Sequence, residues 1–415
     1  MRRSNNQDSH TVVLASDMEN WKKRGHFFMV ADGMGAHAAG ELASGLAVEG
    51  VPHLYHKYLE LSPPEALQKA IYETNSAVHR KGEENADFRN MGTTASALVL
   101  LPQGAIAAHI GDSRIYRLRE GKLEQLTFDH SLVWELRAAG QLSDDAELAQ
   151  AIPKNVITRS LGPNASVHPD IEGPIRMKVG DTFLLCSDGL TGRIEDDEIA
   201  ALLTYLPLDD AGHMLVDLAN LRGGPDNITV VLVKITDSEL ATPKEVDDPI
   251  KIGSADAKAI HPAIWACAAV CLLGALVLML THNGVLAIVA FVGGLAALVV
   301  GLVSRVRSYS PGVALGTGRR LGKGPYARAV CPPSQIIAER LLAVATDLRN
   351  SSASANANTK LNWTDFDHYC LEARQQMESG KSITAISSTA KAMRALMQSI
   401  RDHQNRQAAD SNIDL

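Results

Sequence analysis

Three short phrases in this chain end an apolar run on an aspartate beside a turn. They are Val30-Ala31-Asp32-Gly33-Met34-Gly35, Cys186-Ser187-Asp188-Gly189, and Gly224-Pro225-Asp226-Asn227, the last leading into the run Ile228 to Val233. A lone Asp-Gly is an ordinary turn. Recurrence changes the reading: three carboxylates carried at strand ends on rigid supports offer the oxygen ligands a hard divalent cation takes. Gly33 and Gly35 let the backbone come close to whatever sits there.

The runs that deliver these aspartates read as buried strands. Residues 27 to 31 have strand length and end at a turn signal, and Asp181 to Cys186 and Ile228 to Val233 repeat the pattern. Helical stretches of about 39 to 60 and 63 to 84 follow the Asp32 turn, the second started by Pro63-Pro64 after Ser62, since proline suits a first helical turn. Strand-type runs at 94 to 101, 105 to 110, 114 to 118 and 123 to 126 are joined by hairpin-scale connections. Helices near 195 to 205 and 209 to 220 complete a unit over residues 1–236. Helices grouped and strands grouped predict an α+β fold with antiparallel sheets. The polar stretch 141 to 156 is expected to form a flap.

Residues 237–262 carry many charges with almost no apolar periodicity and read as a flexible linker. Residues 263–280 and 285–303 are free of charge, interrupted only by Thr281-His282-Asn283-Gly284. One continuous helix would be about 60 Å long, twice a hydrocarbon core of roughly 30 Å, so a hairpin of two transmembrane helices is expected. Small-residue stripes (Ala263, Cys267, Cys271, Ala275; Gly293, Ala297, Gly301) would let the helices pack closely in lipid. Lys251 and Lys258 before the hairpin, Arg305 and Arg307 after it, and no Lys or Arg in the turn predict both flanks on the cytoplasmic side of a cell inner membrane. Residues 304–333 read as a basic, Gly-rich juxtamembrane linker. Within it, Gly316 to Gly324 fails the GxxxxGK[ST] phosphate-loop pattern, because Gly324 stands where Ser or Thr is required. Residues 334–415 hold three amphipathic segments, around Ile337 to Leu348, Phe366 to Met377 and Ile386 to Ile400. They predict a small all-α region with no catalytic constellation.

A net charge of -7 over 415 residues gives no basic footprint for nucleic acid. The 5 cysteines are odd in number and show no CxxC, which suggests neither a disulfide framework nor a thiolate zinc site. No apolar leader follows Met1-Arg2-Arg3, so the N-terminus is expected to stay in the cytoplasm.

Taken in order, Arg3-x-x-Asn6-Gln7-Asp8, Val30-Ala31-Asp32-Gly33-Met34-Gly35, Met91-Gly92-Thr93-Thr94, His109-Ile110-Gly111-Asp112-Ser113-Arg114, Ser187-Asp188-Gly189-Leu190 and Gly224-Pro225-Asp226-Asn227-Ile228-Thr229 resemble one family. It is the metal-dependent type 2C protein serine/threonine phosphatases, and the wording is similar to bacterial members. The resemblance covers roughly residues 2 to 236. It implies an α/β/β/α sandwich holding two Mn²⁺ or Mg²⁺ ions, with a third in bacterial members. It implies that Asp32 bridges the metals, that Asp188 and Asp226 hold the first, and that the Gly33 carbonyl and Gln7, supported by Asp8, serve the second. Asp112 matches a ligand of the third ion, and Arg3 the guanidinium that grips the substrate phosphate, a task suited to a planar bidentate donor. Gln7 stands where many members have Glu, and Met34 where eukaryotic members have a histidine.

The implied activity is hydrolysis of phosphoserine and phosphothreonine by a water activated between two metals. Two alternatives use the same resemblance: a pseudophosphatase that binds phosphoproteins without turnover, and a phosphatase dedicated to one regulator of the anti-sigma antagonist type. Expected partners are phosphorylated proteins near the membrane, kinases or their substrates, together with the lipid bilayer.

Overall fold

In the computed structural model of the chain, the described residues are 5–35, 38–142, 152–153, 156–246, 249–253, 262–281, 283–308, 313–315, 320–355 and 361–411. They fall into two compact units, one made of 1–246 with 320–415 and the other of 247–319.

The first unit is built on two antiparallel sheets. One has the order β1 (Asp8–Val13), β2 (His26–Met34), β4 (Ala95–Leu101), β5 (Gly104–Ile110), β8 (Asp170–Ile175), with β3 (Gly92–Thr93) against β2. The other runs β10 (Val230–Lys234), β9 (Thr182–Cys186), β6 (Arg114–Arg119), β7 (Lys122–Gln125), β13 (Ala327–Val330). Their inner faces meet through Phe28, Val30, Leu98 and Leu100 on one side and Ile115, Phe183, Leu185 and Val231 on the other. Each such side chain contributes about 1.5–3 kcal/mol by leaving water. Every residue of β4 and β5 is buried, which is why these strands read as continuous apolar runs rather than alternating ones.

Helices α2 (Ala39–Lys57) and α3 (Pro63–Glu84) cover the first sheet, and α6 (Asp196–Tyr205) and α7 (Leu208–Leu221) the second. The Ser62 start signal is realised as a capping box with Glu65 and Pro63 in the first turn. The elements the sequence does not anticipate include β1, the short helix α1 (Met18–Lys23), β8, and the short helices at Leu132–Ala138 and Asp188–Thr191. Asp32 also lies inside β2, which continues to Met34, and not beyond the strand end as expected. The strand can extend because Gly33 and Met34 find partners in Thr93 and Gly92.

The tail joins the same core. Helices α10 (Ser334–Ala355), α11 (Thr364–Glu378) and α12 (Ser382–Ser411) point Ile337, Leu341, Phe366, Ile386 and Met393 into one cluster with Leu202, Leu215 and Leu218 of α6 and α7. The reading of 304–333 as a linker is corrected at 304–308, which continue a helix, at Val313–Leu315, which form a strand, and from residue 320 onward. Leu321 forms a bridge with Gly173 beside the first sheet, and β13 extends the second by pairing with β7.

In the second unit β11 (Ile250–Ile252) pairs antiparallel with β12 (Val313–Leu315), which corrects the flexible-linker reading of 237–262 at its centre. The two apolar runs form α8 (Pro262–Leu280) and α9 (Gly284–Ser308), packed together. Their contact face differs from the expected stripes. Ala268 and Ala275 on one helix and Ala287 and Gly294 on the other are buried, at a spacing of seven, while Cys267 and Gly293 are exposed. A Cβ on Gly294 would lie 3.0 Å from Leu272, so the helices approach closely there. The side chains described cover 264–280 and 284–299, about 25 Å of each helix. Among the described residues no helix is long and apolar enough to cross a membrane.

Candidate active site

Asp8 and Asp32 are cross-strand partners in the ladder of β1 and β2. Asp8 is 8% exposed. Its Oδ2 accepts hydrogen bonds from the hydroxyls of Ser187 and Thr229, both at 2.7 Å, while its Oδ1 is buried with no donor. The backbone of Asp32 is fixed on both sides: its N–H donates to Thr94 Oγ1 at 2.8 Å, and its carbonyl accepts from Thr93 Oγ1 at 3.0 Å and from the Thr94 N–H at 2.9 Å. The turn beyond it is tightly packed. A Cβ on Gly33 would stand 2.1 Å from the Gly40 carbonyl oxygen, so glycine is required for α2 to abut the strand.

Asp188 opens the short helix α5 (Asp188–Thr191), and Asp226 lies in the loop before β10. The two loops touch through backbone, since a Cβ on Gly189 would fall 2.0 Å from the Asn227 carbonyl oxygen. Asn227 also ties this loop to the start of β1 by accepting from the Gln7 N–H at 2.9 Å. The Gln7 side chain donates to the Gly35 carbonyl at 3.3 Å. Arg3 lies outside the described residues.

Asp112 sits in the turn after β5, with Oδ1 buried and without a donor. This turn is braced by His130, whose N–H donates to the Gly111 carbonyl at 2.7 Å and whose Nδ1 accepts from the Gly111 N–H at 3.1 Å. His109 is fully buried between Ser96 Oγ and the Gly111 carbonyl, and burial lowers its pKa to about 3. Both histidines thus hold backbone in place. Cys186 is a core residue whose thiol burial pushes up to about 12.

The electrostatics report the convergence directly. Burial raises the Asp32 carboxyl well above the usual carboxylate range, and the charges of Asp8, Asp188, Asp112 and Asp226 raise it further. Asp112 is pushed up to about 7 by burial, then by Asp188 and Asp129. Among the described residues no three His, Cys, Asp or Glu side chains are drawn into a ready-made chelate. A cavity of about 590 Å³ opens beside the cluster, with Asp112, Asp188 and Asp226 in its wall and Trp134, Arg137 and Arg193 facing them.

The residues missed in the sequence are the supports. Thr94, Ser187 and Thr229 lie inside the motifs, but only Ser187 stands next to a motif acid; Thr229 is three positions from Asp226 and the Thr94 motif holds no acid, so spacing did not mark them. A second support carried no signal: Arg114 pairs with Asp129 at 2.7 Å and donates to Tyr116 Oη at 2.8 Å, which donates to Asp196 at the start of α6 at 2.9 Å.

Residues 2–214 match the model of the protein phosphatase 2C family. A protein phosphatase 2C-type protein of Streptococcus pyogenes is 42% identical over 236 residues, covering 56% of this chain and 92% of the relative. Protein phosphatase PhpP of Streptococcus pneumoniae is 39% identical over 257 residues, covering 57% and 95%. The crystal structure of the catalytic domain of the serine threonine protein phosphatase PstP in complex with 2 manganese ions is 35% identical over 57% of this chain and 94% of that one, at a TM-score of 0.49. The chain belongs to the protein phosphatase 2C family and is a protein serine/threonine phosphatase.

Proposed function

We propose that the protein removes phosphate from phosphoserine and phosphothreonine in other proteins with two divalent cations, Mn²⁺ or Mg²⁺, held among Asp8, Asp32, Asp112, Asp188 and Asp226. The carrying observation is the pair of buried carboxylate oxygens, Asp8 Oδ1 and Asp112 Oδ1, that have no donor beside an Asp32 whose ionisation four neighbours oppose. At neutral pH a cation is the group that satisfies such a cluster. When bound, the ions supply Lewis acidity toward the phosphoryl group and make water a nucleophile. The chain itself holds the acids in place: Thr94 fixes the Asp32 backbone, Ser187 and Thr229 orient Asp8, and His130 braces the turn that carries Asp112. Arg137 and Arg193 line the same cavity as Asp112, Asp188 and Asp226, beside the place an anionic phosphopeptide would occupy.

The test is turnover of a phosphothreonine peptide by the full chain. Activity with Mn²⁺, loss with EDTA, and loss of at least about a thousandfold in Asp188→Asn are expected. Full activity in EDTA overturns the metal reading, and tight peptide binding without turnover gives the pseudophosphatase.

The reading includes a membrane tether. Trp265, Val270, Leu276, Leu286, Ile288 and Phe291 on α8 and α9 are more than half exposed, and a contiguous apolar surface of that kind needs cover. A lipid bilayer is the cover proposed, with the catalytic unit in the cytoplasm near membrane-bound kinases or their substrates.

A further inference from the structure

The segment that follows the hairpin closes over the catalytic unit as a strap. Leu321 exchanges backbone hydrogen bonds with Gly173 beside the edge of the first sheet, at 2.6 and 3.2 Å. A few residues on, β13 pairs with β7 at the edge of the second, from Ala327 opposite Gln125 to Val330 opposite Lys122. Between these anchors the chain folds around one carboxylate. Glu172, 4% exposed, accepts from the Lys323 N–H at 3.3 Å, the Gly324 N–H at 3.0 Å and Tyr326 Oη at 2.5 Å. The Gly-Lys-Gly run that fails as a phosphate loop therefore cradles an anion that belongs to the chain itself. Gly322 has a φ of +72°, and a Cβ there would stand 1.9 Å from Glu172 Oε2, so the wrap requires glycine.

The clamp aims one ring. Tyr326 meets Phe128 at a centroid distance of 5.4 Å, and Phe128 meets Trp134 edge-on at 5.3 Å. Trp134 lies on α4 (Leu132–Ala138) and lines the active-site cavity. The residues after Phe128 hold the other side of the site, since Asp129 pairs with Arg114 and His130 braces the Gly111-Asp112 turn. We propose that Tyr326 is a positioning residue for the phosphatase: clamped by Glu172, its ring sets the Phe128–Trp134 pair and with it the α4 wall against which the peptide around the phosphoresidue rests. The chain directly after the hairpin thereby shapes how a phosphoprotein is held, without touching the reacting atoms. This rests on the phosphatase reading, whose failure would show separately as a parent chain without turnover.

The test compares the full chain with Tyr326→Leu, Tyr326→Phe, Phe128→Leu and the Tyr326→Leu/Phe128→Leu double variant. A phosphothreonine peptide and p-nitrophenyl phosphate, which has no flanking peptide to rest on α4, serve as substrates under saturating Mn²⁺. Tyr326→Leu is expected to raise KM for the peptide roughly three- to tenfold, the scale of one aromatic pair, with kcat for p-nitrophenyl phosphate within about twofold of the parent. Tyr326→Phe keeps the ring but loses the hydroxyl that Glu172 holds, so a rise in peptide KM smaller than that of Tyr326→Leu is expected. The double variant matches the larger single one, because both changes break the same chain of contacts. Should Tyr326→Leu fail to fold, Glu172→Gln keeps the shape and loosens the clamp, and a smaller rise in peptide KM is expected. A peptide KM unchanged in the variants that fold, equal losses on both substrates, or additive effects in the double variant each overturn the proposal.

Discussion

Asp8 stands directly across the β1–β2 ladder from Asp32, held by two hydroxyls on one oxygen and bare on the other. The donors come from the Asp188 loop and from the segment after Asp226, so two acidic motifs each bring a hydroxyl that orients the carboxylate of a third. Orienting partners of this kind typically affect metal affinity by 10–100-fold when removed. Thr229→Val should weaken Mn²⁺ binding to the metal-free protein by roughly tenfold, read by titration calorimetry, and should cost about 1–3 kcal/mol of stability through the lost donor. Unchanged affinity would mean that Asp8 has no part in the metal site.

The metal-free protein should lose stability as pH rises. Asp112 titrates at about 7 in the fold, whereas an unfolded aspartate titrates near 3.9. Between those values the folded chain keeps a proton that the unfolded chain has released, so stability falls through this window and the penalty is complete above about pH 7. Asp32 and Asp8 are raised as well and act with the same sign. The melting temperature without metal should therefore be higher at pH 5 than at pH 7.5. Asp112→Asn should raise the pH 7.5 value by several degrees and flatten the slope, and Mn²⁺ should raise the parent at pH 7.5. A parent and an Asp112→Asn variant with the same pH slope would contradict the assignment.

Much of the site could be read from the sequence because its acids sit in local phrases. Asp112 and Asp188 follow strands, Asp32 lies two residues from the end of one and Asp226 precedes one, each within a few residues of a glycine or proline, so turn chemistry marked them. The strands β4, β5 and β9 were legible for the same local reason, as short apolar runs. What escaped was long-range. Strand β1 begins on buried Asp8 and then alternates half-buried and exposed residues, and its pairing with β2 is what makes it a strand. Asp129 and Arg114 lie 15 residues apart with no shared motif. The amphipathic faces of 334–415 were visible, but nothing in their period names α6 and α7 as the surface they cover.

That cover predicts a dependence of the catalytic unit on its tail. Leu341 is 2% exposed in the cluster it shares with Leu202 and Leu215. Leu341→Ala should cost about 2–5 kcal/mol, and the melting transition monitored at the sheets should fall with that of the tail helices. A chain ending at Val246 should melt lower still and aggregate, because the apolar faces of α6 and α7 would then meet water. Two separate transitions in Leu341→Ala, with only the helical one shifted, would show that the tail folds independently.

The hairpin proposal has a topological consequence that rests on pairing across it. Strand β13 follows the hairpin in sequence yet pairs with β7, which precedes it, and β11 and β12 pair from its two flanks. Two segments hydrogen-bonded in one sheet lie on one side of any membrane, so a crossing by this chain must be followed by a return. The proposed tether therefore requires an even number of spans, which helices α8 and α9 would supply as a pair. In that arrangement Lys251 before them and Arg305 and Arg307 after them would place the paired flanks on the cytoplasmic side. Alkaline phosphatase fused after Gly284 should be active, and a fluorescent protein that stays dark when exported should be bright after Leu415. Washing membranes with alkaline carbonate should leave the parent chain in the pellet, while Leu276→Lys combined with Phe291→Lys should release it, since each charge at mid-helix opposes insertion by about 2.5–3.5 kcal/mol. An inactive fusion at 284 beside a carbonate-soluble parent would place the hairpin outside the bilayer and leave its apolar face to another protein.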